Sequence, residues 1–300
     1  MKRHFAIVCT IAAATVTLLG CGGVATDPLE IPDSPDGTVR VVMSGLAQQH
    51  PEIVWRALPP SYQADLNGLV VSFGENMDPA VFDRAVAVTR KGSMVLQRKK
   101  ELILATDAVQ GSEMDQTGVN AAWEGAMGAL DILLASDLAR LEAYATFDVE
   151  AFLAGTGAEL MTRAAAIPVD EGETDGVGGR LEDLERTAVE LDSSDGDRAV
   201  VRITPPDEDG RDLAMTRVEG RWLPSELVDE WPGAMERARE RIEFLGSEDA
   251  AQTNMQILFG IGVVEGFIDQ IDRMESSEDL DALVGGLLGN VAQMTGAQPI

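Results

Sequence analysis

Cysteine, histidine and lysine are scarce in this chain of 300 residues. The cysteines are Cys9 and Cys21, the histidines His4 and His50, and past Lys2 the lysines are Lys91, Lys99 and Lys100. So few thiols and imidazoles leave no cluster for a zinc-type transition-metal site. A Ser-His-Asp triad would have to use His50, which precedes Pro51 in a connection between helices. No Gly-x-Ser-x-Gly elbow supplies its serine, so His50 reads as an exposed or capping residue. Gly155 and Gly157, and the run Val177-Gly178-Gly179, lack the Lys-Ser/Thr of a phosphate loop. Long apolar runs are missing too. Phe5 to Leu19 and Met255 to Val264 both fall short of the roughly 20 residues that span a bilayer.

Acid is what the chain has in quantity. Asp and Glu number 51 against 23 Lys and Arg, a formal net charge of −28. Such a surface repels nucleic acid and anionic headgroups. It suits solubility in a salty medium as well as it suits binding. Many carboxylate pairs could do acid–base work, and no spacing singles one out.

At the start of the chain Lys2, Arg3 and His4 precede the apolar stretch, which ends in Leu18-Leu19-Gly20-Cys21. A basic flank before a short apolar run reads as a signal peptide. The ending resembles the lipobox of bacterial lipoproteins. That resemblance implies cleavage after residue 20 and a diacylglycerol thioether on Cys21. The lipid would be a covalent anchor of two or three chains, enough for stable attachment. Gly22 stands where an inner-membrane retention signal usually has Asp, so by resemblance to Gram-negative sorting the address is the outer membrane. Loss of Lys2 and Arg3 would move the charge from −28 to −30. The mature chain would have no free thiol and no disulfide, although export permits them.

Residues 21–37 read as the lipidated tether: Gly22 to Gly37 carries three prolines and no apolar periodicity. Its 16 residues would reach about 55 Å when extended and ~20–25 Å as a coil. The rest, 38–300, reads as one globular unit. Residues 38–167 are patterned as helices, opened by the cap pairs Ser34-Pro35 and Asp78-Pro79. One helix aligns Val81, Ala85, Val88, Val95 and Leu102, and Gly92-Ser93 is a candidate bend. A longer one aligns Val119, Trp123, Ala126, Leu130, Leu134, Leu138 and Leu141. These stripes are expected to face the core. Residues 168–231 combine an acidic loop with strands near 187–191, 198–204, 211–218 and 221–223, a β-meander with turns at Asp195-Gly196 and Glu219-Gly220. Residues 232–300 are helical again, with a stripe of Ile257, Ile261, Val264, Ile268 and Ile271. The fold class is α+β and helix-rich.

The leading helix and the runs DGDRAVVRI, DGRDLAMTRV and EGRWLPSEL, residues 195–203, 209–218 and 219–227, resemble the strand pattern of nuclear-transport-factor-2-like lipoproteins. The resemblance covers about residues 38–60 and 187–224, and the helical segments between and after depart from that family's plan. It implies a curved sheet closed into a cone, with a small-molecule or catalytic pocket inside if the cone is hollow.

Two clusters are candidate sites. Glu171, Glu173, Asp175 and Glu182 occupy positions 1, 3, 5 and 12 of a calcium loop, with Gly176 at position 6. Glutamates at 1 and 3, Gly178 at position 8 and Pro168 in the entering helix depart from that pattern and favour a solvated acidic loop. Arg84, Lys91 and Arg98, seven apart, are the basic line of an otherwise acidic chain. They are either a docking face for a partner, an anionic lipid or a glycan, or they pair with the chain's own acids. The resulting expectation is a lipid-anchored, non-enzymatic envelope protein that binds a protein partner or envelope component. The alternatives are a ligand-binding or catalytic cone and a calcium-responsive adaptor.

Overall fold

Ser34 and Pro35 start the first helix as their chemistry dictates. In the computed structural model, which describes residues 29–111, 116–167, 177–206 and 208–283, Ser34 Oγ accepts from the Gly37 amide at 3.2 Å and proline fills the first helical position of α1, Pro35–Ala47. Gln49, at φ +63°, turns the chain into α2, Glu52–Ala57. Then come α3, Pro60–Asn76, and α4, Pro79–Arg98. Asp78 caps α4 through the Ala80 and Val81 amides at 2.8 and 3.3 Å. The helix runs unbroken through Gly92-Ser93.

Short helices α5, Lys100–Leu104, and α6, Asp107–Gln110, lead to α7, Gln116–Ala135. Two 3-10 turns, Asp137–Ala139 and Leu141–Thr146, come after it, so the expected helix stops short of Leu138 and Leu141, where Ser136 caps a new turn through the Leu138 amide. Next, α8, Val149–Phe152, passes through a π turn, Leu153–Gly157, into α9, Ala158–Ala165. After α10, Val177–Arg186, comes the sheet: β1, Ala188–Asp195; β2, Arg198–Thr204; β3, Arg211–Val218; and β4, Arg221–Pro224. The chain continues through α11, Ser225–Leu245, and α12, Ala250–Arg273, to a last helical stretch at 277–283.

The sheet is an antiparallel meander in sequence order. Glu219 and Gly220, at φ +49° and +79°, make the two-residue turn between β3 and β4, where both central positions need positive φ. Alternate residues Val189, Ala199, Val201, Ile203, Met215 and Trp222 point to one face and pack under Val39 and Met43 of α1. Val201 is fully buried and Trp222 is 5% exposed. The face that a hollow cone would leave open is filled by these side chains. An α+β, helix-rich architecture with helices flanking a small sheet is therefore what the chain adopts.

A second core joins Val95 of α4, Ile271 of α12 and Leu280, with Phe267, Ile268 and Leu283 packed around them. Val81, Val88 and Val95 are buried as the α4 stripe requires. The other two stripes are only half covered. Along α7, Gly118 alone is buried, and Val119, Trp123, Leu130 and Leu134 are partly exposed. In α12, Ile271 is buried but Val264 is 52% exposed. Periodicity marks a helix's apolar side without supplying a neighbour to cover it. Among the described residues no helix is long and apolar enough to cross a membrane.

Candidate functional site

The half-covered α7 forms one wall of a groove of about 620 Å³. Gln97 of α4 and Lys100 of α5 line one side, Thr156, Glu159 and Arg163 the other, and Trp123, Met127 and Ile132 give it an apolar patch. Its size lies in the range of ligand sites. The polar residues of α7 reach it because Glu124, Gly128 and Asp131 are spaced four and three apart, on one helical face.

Asp131 is held by neutral donors. Ser93 Oγ donates to its Oδ1 at 3.1 Å, and Gln97 Nε2 lies 3.1 and 3.0 Å from its two oxygens. Ser93 is itself buried, so the carboxylate is fixed from below. Lys100 Nζ sits 2.6 Å from Glu124 Oε1, which takes that lysine's charge. On the opposite wall a β-carbon at Gly128 would stand 2.3 Å from Arg163 Nη1. Glycine there lets the guanidinium lie against the α7 backbone. Among the described residues neither Asp131 nor Arg163 has an ion-pair partner. The groove thus presents two carboxylates, Asp131 and Glu159, and one guanidinium beside an indole. Of its two hydroxyls, Ser136 Oγ donates to the Leu133 carbonyl at 2.8 Å and the other belongs to Thr156. The arrangement can hold a ligand of both charge signs.

Gln97, Asp131, Glu159 and Arg163 carry no motif that marks them as a site in the sequence. The available signal was the polar line Glu124, Gly128, Asp131 on an otherwise apolar helix. Its partners Gln97 and Arg163 come from distant parts of the chain.

The basic line sits elsewhere, at the seam of α4 and α12. Arg84 pairs with Glu265. Lys91 lies 3.1 Å from Glu265 and 2.6 Å from Asp269, and Arg98 is 3.1 Å from Asp272. Hydrogen bonding to Asp269 raises the Lys91 pKa above its ordinary value, and the same contact lowers that of Asp269. Lys99 Nζ donates to the Met274 carbonyl at 2.7 Å. Along this line the charges are matched inside the molecule by acids at complementary helical spacing, as the second of the two readings expected.

Of the calcium-loop residues, Glu182 stands in α10, and Glu171, Glu173 and Asp175 lie outside the described residues, as does Cys21. Among the described residues no three of His, Cys, Asp and Glu gather as a metal site. His50 Nδ1 is 3.1 Å from Glu52 Oε1 at the α1–α2 corner. Among the described residues, none comes within 4 Å of a β-carbon position at Gly262 or Gly266.

Compared with known families, curated proteins and solved structures, the chain matches none.

Proposed function

We propose that this chain is a lipid-anchored protein of the cell envelope, held at the outer membrane through Cys21, that binds a protein or envelope component in the α4–α7–α9 groove without transforming it. The anchor rests on the run Leu18-Leu19-Gly20-Cys21. Binding rests on one observation: Asp131 and Arg163 face the same groove without ion-pair partners among the described residues, in a chain whose Arg84, Lys91 and Arg98 are all matched by its own acids. Two charges of opposite sign in one groove favour a partner that offers both signs in return. Tethering restricts such a domain to the membrane plane and raises its effective concentration there. The filled face of the sheet supports a surface-binding role over a pocket inside a cone.

The test is native mass spectrometry of the mature protein, extracted in mild detergent from its own membranes, beside the Asp131→Ala/Arg163→Ala variant. The expected result is an acylated N-terminal peptide at Cys21 and a bound species that the variant loses. An unmodified Cys21 overturns the anchor. A bound species retained by the variant overturns the groove as its site.

A further inference from the structure

Two of the groove's walls, α7 and α9, run antiparallel, and their close contacts set the register. A β-carbon at Gly125 of α7 would stand 2.6 Å from Ile167 Cγ1, just past the end of α9, and one at Gly128 would meet the Arg163 guanidinium. A step forward along α7 is therefore a step back along α9. One further turn in the same direction sets Glu159 level with Asp131 and Ile132, and Thr156 level with Ala135 and Ser136. All of these residues line the groove.

That register sorts the unmatched charges by level. Asp131 and Glu159 stand one on each wall, and among the described residues neither has an ion-pair partner. Ser93 Oγ and Gln97 Nε2 are neutral donors, so they fix the Asp131 carboxylate and leave its charge uncancelled. Arg163 belongs one turn away: Gly128 precedes Asp131 by about 4.5 Å along α7, and Glu159 precedes Arg163 by about 6 Å along α9. Lys100 adds nothing to this balance, since Glu124 takes it. A cleft with a carboxylate on each side takes a cation. An ammonium, with three donors in different directions, can serve both walls, whereas the planar fork of a guanidinium suits one carboxylate. By the same geometry Arg163 suits a carboxylate on the ligand. Met127, four residues before Asp131, and Ile132 supply apolar surface between the two levels, and Trp123 supplies more beyond Gly128.

We propose, resting on the groove as the site of binding, that what it takes is the carboxyl-terminal lysine of a peptide. The side-chain ammonium sits between Asp131 and Glu159, and the terminal carboxylate sits on Arg163. The four-carbon stem of lysine spans the one helical turn between those levels, against Met127 and Ile132. Past Arg163 the groove continues to Trp123, which receives the residues before the lysine. A lysine inside a chain lacks the carboxylate, and an apolar end residue lacks the ammonium. Each leaves a charge of the groove unanswered. An acidic end residue would bring two anions to a site with two carboxylates and one guanidinium, and is rejected.

The test is isothermal titration of the full chain at low salt with acetyl-Ala-Ala-Lys. One comparison peptide is the same sequence as a C-terminal amide. The other ends in norleucine, which keeps the stem and loses the ammonium. The expected result is binding of the lysine acid, weakened roughly tenfold or more in either comparison peptide. Arg163→Gln is expected to abolish the preference for acid over amide, and Glu159→Gln to shrink the preference for lysine over norleucine. Equal binding of the three peptides by the parent overturns the proposal, as does a preference that survives its variant. No binding of the lysine acid overturns it too, and native mass spectrometry then separates two failures. A bound species that Asp131→Ala/Arg163→Ala loses leaves the groove as the site of a ligand of other chemistry. A bound species that this variant retains removes the groove reading as well.

Discussion

Tyr62 of α3 stacks on Trp231 of α11, ring centroids 4.0 Å apart and planes 8° from parallel. The indole Nε1 also donates to Asp65 Oδ2 at 3.0 Å, and Arg239 pairs with the same carboxylate. Burial, and then Asp65 and Glu219, push the Tyr62 hydroxyl above its ordinary pKa. Trp231→Ala removes stack and hydrogen bond together and is expected to cost about 3 kcal/mol. A double-mutant cycle with Tyr62→Ala, read by urea denaturation, should return a coupling of about 1 kcal/mol. Additive costs would mean that the rings share a site without supporting one another.

Gly45 in α1 allows Ile53 of α2 to pack against its backbone. A β-carbon there would stand 2.8 Å from Ile53 Cγ2 and 2.9 Å from its Cβ, and Ile53 is fully buried. Gly45→Ala is expected to destabilise by about 1–3 kcal/mol through this clash, helix propensity notwithstanding. Because Ile53→Ala opens the same space, the double variant should be less destabilised than the sum of the two. Denaturant midpoints of the four proteins decide it.

The Lys91–Asp269 contact predicts a pH window. Asp269 is held below the ordinary carboxylate value of 3.8, so its contribution is present at neutral pH and fades as pH falls through that depressed value. Lys91 is held above 10.5, so its contribution is present below that pH and fades as pH rises through the elevated value. The melting temperature of the parent should exceed that of Asp269→Asn by a constant amount from about pH 5 to pH 10. The gap should close on both sides. A gap that persists at pH 2 would assign the difference to packing.

Gly128→Ala separates binding from folding. Its new methyl meets only the far end of the flexible Arg163 side chain, so stability should change by no more than about 0.5 kcal/mol. The guanidinium must leave the groove wall, and one charge-assisted hydrogen bond is worth about 1.5–3 kcal/mol. Affinity for the bound partner should therefore fall roughly tenfold or more, as isothermal titration would show.

Local chemistry was legible in the sequence. The Ser34-Pro35 and Asp78-Pro79 caps, the Glu219-Gly220 turn and the α4 valines act over a few residues, and each lies where its type requires. The strand β1 runs longer than its apolar core suggests, to Asp195, because ladder bonds to Arg198–Val201 need no apolar side chain. Pairings across the chain were not legible. That Arg84, Lys91 and Arg98 would pair with the chain's own acids could be read, but not that α12 would supply Glu265, Asp269 and Asp272. The groove is a product of packing: Gln97, Asp131 and Arg163 belong to three helices, and no spacing along the chain links them.

Lysine scarcity has a practical meaning in the folded protein. Past Lys2, the lysine ammonium groups all lie within ten residues, and each is engaged: Lys91 with Asp269, Lys99 with the Met274 carbonyl, Lys100 with Glu124. A lysine-specific protease meets no other cleavable bond in that whole stretch of polypeptide. Its rate of nicking is consequently a clock for one event, the parting of α4 and α5 from their neighbours, and is blind to loosening anywhere else.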